Sequence, residues 1–162
     1  MTAIDVMAFT KTCEHPVARY RLDNTVEEMV VANLVSEITW AKGELLNAIK
    51  AYTDAQCDLV EITEGLSRRV LLKRKFFINA YKALYADYES ILNGFIIVNA
   101  NCVNYNGTTY GHCEPVRRLT KNHLAFLHEK YAAIKDDPDV NAAYMAYKEL
   151  LEEFLTHVKY QI

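Results

Sequence analysis

Residues that break helices are scarce in this chain. Its 162 residues include only 5 Gly and 3 Pro. Strands joined by tight turns consume both residue types, so their scarcity favours long helices over many short strands. The length suits one domain, and a chain of this size buries roughly 70% of its unfolded surface without stapling by disulfides or metals. We therefore interpret residues 1–162 as a single helical domain.

Apolar periodicity predicts where the helices lie. Thr25 and Glu28 form a capping box before a long segment in which apolar residues recur every three or four positions. Asp54 is the predicted cap of the next helix, which stops at Asn93–Gly94. Gly65 inside that helix marks either close helix packing or a break between two helices. The other predicted helices are a short one at 4–10 and two longer ones at 115–134 and 138–160.

One stretch does not fit the helical pattern. Residues 99–113 are the least helical part of the sequence, and Asn106-Gly107 within them is a strong hairpin signal. The predicted fold class is therefore all-α. We expect a bundle of four or more long helices with a short irregular or hairpin insert near residues 101–115.

Composition excludes several classes of protein. The formal net charge of −3 argues against a dedicated nucleic-acid binder. No apolar run approaches the roughly 20 residues that span a bilayer, so we expect no membrane association. The first residues lack a basic region followed by an apolar one, which predicts a cytoplasmic protein with reduced thiols.

Four glutamates are the candidate metal ligands. Glu37 and Glu44 lie seven positions apart and share a helix face, and Glu61 and Glu64 are neighbours on the predicted next helix. Carboxylates facing each other from two adjacent helices suit a hard cation such as Mg²⁺. The alternative is that these are ordinary solvated glutamates on helix surfaces.

Short motifs resemble those of the all-α nucleoside triphosphate pyrophosphohydrolases, the MazG-like family. Residues 58–66 (DLVEITEGL) resemble the second metal motif of the family, and residues 44–49 (ELLNAI) resemble the end of its first. The opening residues are similar to those of phage and bacterial members. The segment from Phe95 to Asn101 is also similar to the family. The resemblance covers residues 4–106 and leaves 107–162 as a helical extension.

The resemblance implies a site and an assembly state. It implies that a carboxylate cluster holds Mg²⁺, which polarises a (d)NTP for attack by water between the α- and β-phosphates. It also implies that Asn101 helps to recognise the nucleotide, and that the protein is a homo-oligomer, either a dimer or a tetramer. The ligand set would be Glu37, Glu44, Glu61 and Glu64.

Two further groups could contact a nucleotide. Arg68 and Lys75 belong to a basic cluster that could neutralise phosphates or dock an acidic partner, or could simply be a solvated helix face. Tyr105 could stack on a base, and the alternative is packing within a turn.

The first metal motif is degenerate. In one register Trp40-Ala41 stand where the family has a pair of glutamates, and only Glu44 is kept. In another register Glu37 is the first glutamate, and Ile38 and Ala41 replace the other two. One hypothesis is therefore a diverged protein with the pyrophosphohydrolase fold, active or inactive, that binds or hydrolyses a (d)NTP with Mg²⁺. The other hypothesis, which Trp40-Ala41 favours, is a non-enzymatic helical interaction protein that acts through protein–protein contacts.

Overall fold

The chain is mostly helical and carries one small antiparallel sheet. A computed structural model describes the backbone of residues 16–61 and 67–158, and the side chains of 26–60 and 67–158. The short helix predicted at 4–10 lies outside these residues. In chain order the elements are α1 (Pro16–Glu61), α2 (Arg68–Asn93), β1 (Phe95–Asn99), β2 (Cys102–Tyr105), β3 (Thr108–Gly111), α3 (Cys113–Tyr131) and α4 (Pro138–His157).

Helix α1 is longer than the sequence pattern predicts. It runs for 46 residues, so the predicted start at the Thr25 capping box and the predicted break at Asp54 are both wrong. After Pro16, the only Gly or Pro within α1 is Gly43. Because no breaker interrupts the chain, local capping signals in the interior of α1 do not end the helix. Asp54 instead pairs with Lys50 one turn earlier, at 3.4 Å.

One row of α1 side chains forms the centre of the core. These residues recur every three or four positions and are almost completely buried: Val31, Leu34, Ile38, Ala41, Leu45 and Ile49. The apolar pattern predicts this row from Leu34 onward, but it also places Val26 and Val30 on the buried face, and these are 62% and 42% exposed. Helices α2 and α4 both pack against α1. At one end of α4, His157 Nδ1 lies 2.7 Å from Glu27 Oε1. Helix α4 therefore lies against the N-terminal part of α1.

Helix α2 is antiparallel to the C-terminal part of α1. Arg74 Nε donates to the carbonyl oxygen of Val60, and the rings of Tyr52 and Tyr81 meet edge to face at 6.4 Å. Helix α2 begins at the N-cap Ser67, which matches the break that Gly65 allowed, and it ends at Asn93 as predicted. The two helices form a hairpin.

The end of this hairpin extends beyond the core. None of the described side chains between residues 54 and 87 is buried. Thr53 and Tyr88 are the last buried residues on either side of this stretch. We call residues 54–60 and 67–80 the hairpin tip.

The insert is a sheet of three strands in the order β1-β2-β3. Asn106 and Gly107 connect β2 and β3 with φ of 51° and 89°, the left-handed pair typical of a two-residue hairpin turn. The predicted hairpin is confirmed, but the sheet starts earlier, at Phe95. In β1 buried and exposed residues alternate as in a half-buried strand, a period that the apolar run Phe95–Val98 conceals.

The last helix begins at its predicted cap, whereas α3 begins at Cys113, before the predicted Pro115, and the side chain of its N-cap His112 makes no capping hydrogen bond. Asp137 accepts a hydrogen bond from the backbone N–H of Val140 at 3.0 Å, and Pro138 occupies the first turn of α4. Helix α3 ends at Tyr131, and a turn over 132–136 leads to α4. Together α3, α4 and the sheet close one side of the core around α1.

The joint between α2 and β1 leaves no room for a side chain at Gly94. A Cβ there would lie 2.9 Å from the carbonyl oxygen of Ser90 and would also contact the side chain of Asn106. We expect Gly94→Ala to lower the free energy of unfolding by about 1–3 kcal/mol, because the backbone must shift. Urea denaturation at equilibrium measures this change.

Gly43 provides the matched control. It lies inside α1, and nothing lies within 4 Å of an added Cβ. We expect Gly43→Ala to raise the free energy of unfolding by about 0.5–1 kcal/mol, since alanine is the better helix former. Equal stability of the two variants would contradict this account of the joint.

Candidate functional site

The predicted carboxylate ligands do not converge on one point. Glu37 and Glu44 are exposed on α1. Glu61 is the last residue of the same helix, so that about 26 Å of helix separates its backbone from that of Glu44. The prediction that Glu61 lies on a neighbouring helix beside Glu44 is therefore wrong, because α1 does not break near Asp54. Glu64 lies outside the described residues.

A search for metal ligands finds no cluster in the described part of the chain. Among residues whose side chains are described, no three His, Cys, Asp or Glu side chains lie together as ligands of one ion. Glu61 and Glu64 are not among these side chains. The described residues thus supply no partner for Glu37 and Glu44 in a metal site.

The predicted nucleotide-binding residues fall at two separate places. Arg68 and Lys75 are exposed at the hairpin tip. Asn101 lies in the turn before β2, and Tyr105 is in β2, where its ring meets that of Phe95 at 6.4 Å. Since α2 has 26 residues, about 38 Å of helix lies between Arg68 and the start of the sheet. One nucleotide cannot contact both groups.

A buried polar cluster joins α3, α4 and the sheet. His123 is only 2% exposed. Its Nε2 lies 2.9 Å from the hydroxyl oxygen of Tyr147, within hydrogen-bonding distance. Its ring stacks on Phe95 with 4.3 Å between centroids. Burial, helped by the positive charge of Lys42, lowers the pKa of His123 to about 3, so the imidazole is neutral at physiological pH.

Lys42 connects this cluster to α1. Its Nζ donates a hydrogen bond to the carbonyl oxygen of Phe95 at 2.6 Å. Burial lowers the pKa of Lys42 from its ordinary value, because desolvation disfavours the charged amine. Since His123 and Tyr147 are enclosed, the cluster is suited to hold four elements, α1, β1, α3 and α4, in register and not to bind a ligand.

Sequence reasoning missed this cluster, although a signal was present. His123 falls on the buried side of α3, in the series Val116, Leu119, Thr120, His123 and Leu127. A histidine within an apolar row must have its ring nitrogens satisfied inside the protein. The partner, Tyr147, lies on another helix, so the spacing in α3 could not identify it.

The hairpin tip carries a basic apolar surface. Leu72 and Phe76 are four positions apart on one side of α2 and are 61% and 71% exposed. Exposed basic residues flank them on both sides: Arg68, Arg69, Lys73 and Lys75. Residues 67–86 contain six Lys or Arg and no Asp or Glu. We call these six exposed side chains, two apolar and four basic, the basic apolar surface.

Other apolar side chains at the hairpin tip are also exposed, on other sides of its two helices. They are Leu59, Val70, Leu71 and Phe77. Single exposed apolar residues are normal, but a contiguous group with a polar rim is typical of an interaction site.

A second exposed row lies on α1, on a different side of the helix from its buried row. Val26, Met29 and Trp40 are 62%, 58% and 68% exposed. Glu37 and Glu44 continue the same three- and four-residue spacing and are also exposed. Residues 26–41 contain no Lys or Arg. We call these five side chains the acidic apolar stripe.

Comparison with known protein families, with characterised proteins and with solved structures finds no match to this chain. Of the helices that the structure describes, none combines the length and the apolar character needed to cross a bilayer. The interpretation of the site therefore rests on its geometry.

The buried histidine predicts a pH dependence of stability. In the unfolded chain His123 has its ordinary pKa of 6.5, and in the folded chain about 3. Between these values the unfolded state binds a proton that the folded state does not. We expect the free energy of unfolding to fall by about 1.4 kcal/mol for each pH unit below 6.5 on account of this residue.

Urea denaturation across the pH range 4 to 7 measures this slope. The double variant His123→Phe/Tyr147→Phe removes both polar groups, so its slope should be smaller than that of the wild type. Tyr147→Phe alone keeps the histidine and should keep the slope. An identical slope in the wild type and the double variant would show that His123 is not the titrating group.

Proposed function

We propose that this chain is a non-enzymatic helical interaction protein that acts through protein–protein contacts made by the hairpin tip. The observation that carries the proposal is the exposure of Leu72 and Phe76 on a helix end where no described side chain is buried. Burying apolar surface stabilises a complex by about 25 cal/mol per Å² before the costs of association. Burial of Leu72 and Phe76 against a partner would therefore stabilise a complex at the hairpin tip.

Charge favours an acidic partner. Four exposed basic residues flank the apolar pair, and no acidic residue lies within 67–86. Complementary charge speeds association and excludes partners of like charge. The expected partner thus combines apolar side chains with carboxylates.

Removing the apolar pair tests the proposal. We expect Leu72→Ser/Phe76→Ser to abolish chemical cross-links between this protein and its partner in the cells that produce it. Both side chains are exposed, so the free energy of unfolding should change by no more than about 0.5 kcal/mol for each. Mass spectrometry of the cross-linked species measures the loss.

The sheet offers a matched control. Ile96 and Val98 are apolar residues on β1 that are about as exposed as many tip residues. Ile96→Ser/Val98→Ser should leave the cross-links intact. If cross-links survive in the tip variant but disappear in the sheet variant, the sheet and not the tip binds the partner.

The second candidate is the Mg²⁺-dependent nucleotide pyrophosphohydrolase. One observation favours it: Glu61 ends α1 and Arg68 begins α2, so an acidic and a basic residue lie at the same end of the hairpin. A metal ligand and a phosphate-binding group could work together there. The motif at 58–66 is its other support, whereas the distance between Glu44 and Glu61 speaks against the four-glutamate site.

A nucleotide assay separates the two candidates. The interaction protein should release no pyrophosphate from any (d)NTP with Mg²⁺ or Mn²⁺, and its melting temperature should not rise when both are added. Turnover that Glu61→Gln removes and Glu44→Gln preserves would overturn the non-enzymatic proposal and favour an enzymatic site at the tip.

A further inference from the structure

One chain carries two exposed surfaces of opposite charge. The basic apolar surface lies on α2, and the acidic apolar stripe lies on α1. We infer that the basic apolar surface of one copy binds the acidic apolar stripe of a second copy. This inference rests on the proposed function, since it names the partner of the hairpin tip.

The spacing of the two surfaces matches. Glu37 and Glu44 are seven positions apart, and so are Arg68 and Lys75. Seven residues are about two helical turns, or roughly 10.5 Å, so each pair lies on one side of its helix. Two ion pairs between copies can therefore form at once.

An apolar side chain lies between the charges on each surface. Trp40 lies between Glu37 and Glu44, and Leu72 lies between Arg68 and Lys75. Both are more than half exposed. Contact between the indole and the leucine would remove apolar area from water at the centre of the two ion pairs. A central aromatic with a charged rim is a common composition of interfaces.

The two surfaces of a single copy cannot meet. Tyr52 of α1 lies beside Tyr81 of α2. Phe76 is five residues from Tyr81 toward the tip, and Trp40 is twelve residues from Tyr52 in the opposite direction. The surfaces are thus separated by about 26 Å along the hairpin. Because α1 is a continuous helix, the contact requires another copy.

Like surfaces cannot pair with each other. Two basic apolar surfaces would bring Arg68 and Lys75 against their own counterparts, and like charges repel. The contact is therefore between different surfaces, with each copy offering one of each. Such a contact closes into a ring or continues as a chain, according to the rotation between copies.

A charge exchange tests the contact in the full-length protein. Light scattering and sedimentation should show that the mass of the wild type rises with concentration above 18.6 kDa. Glu37→Lys/Glu44→Lys and Arg68→Glu/Lys75→Glu should each weaken self-association at least tenfold, because each places like charges together. The variant with all four substitutions should regain the association, since the ion pairs are restored with exchanged signs.

Two further measurements control the result. Glu149→Lys/Glu153→Lys makes the same change of charge on exposed positions of α4, and it should associate like the wild type. Raising the salt concentration should weaken wild-type association, since exposed charges are screened. Circular dichroism checks that each variant is folded. We expect all of them to fold, because every substitution is at an exposed position.

Three outcomes would overturn the inference. They are a wild type that is monomeric at every concentration, a double variant of either surface that associates like the wild type, and a fourfold variant that stays monomeric while the wild type associates. A monomeric wild type whose tip cross-links to a different protein leaves the proposed function standing. If the wild type is monomeric and Leu72→Ser/Phe76→Ser keeps every cross-link of the wild type, the proposed function fails as well. The two failures are therefore distinguishable.

Discussion

The continuity of α1 is the constraint on which the rest of the structure depends. Its 46 residues contain one glycine and no proline after the first position. Since a rigid helix cannot fold back, its buried row must be covered by separate elements along its length. Helix α4 covers the part toward Glu27, and α2 covers the part toward Val60. The hairpin tip projects because α2 and α1 continue where the buried row has ended.

This continuity also determines where the acidic residues lie. Glutamates that a broken helix would bring face to face are instead distributed along one helix, with Glu44 and Glu61 about 26 Å apart. Glu37 and Glu44 then point away from the core beside Trp40, which suits contact with another surface. Trp40, which stands where the resemblance leads one to expect a glutamate, becomes the centre of the proposed contact between copies.

The buried cluster explains how the small sheet is attached to the helices. Phe95 stacks on His123, and its carbonyl oxygen accepts from Lys42. Helices α1 and α3 are thereby both tied to β1, and Tyr147 adds α4. His123 and Lys42, whose pKa values burial lowers, are both engaged in these contacts. The exposed side chains available for binding are instead those of the basic apolar surface and the acidic apolar stripe.

Local patterns in the sequence predict the helical character, the buried row of α1 from Leu34 onward, the stop at Asn93–Gly94, the Asn106-Gly107 hairpin and the cap at Asp137. Each of these depends on interactions within a few residues or on one helical period, which can be read locally. Local patterns do not predict that α1 continues through Thr25 and Asp54, that Phe95 begins a strand, or that His123 contacts Tyr147. These outcomes depend on residues far apart in the chain, and packing between them outweighs local capping preferences. For the same reason the candidate site could be predicted only in part. Spacing predicts which residues share a helix face, but not which faces come together.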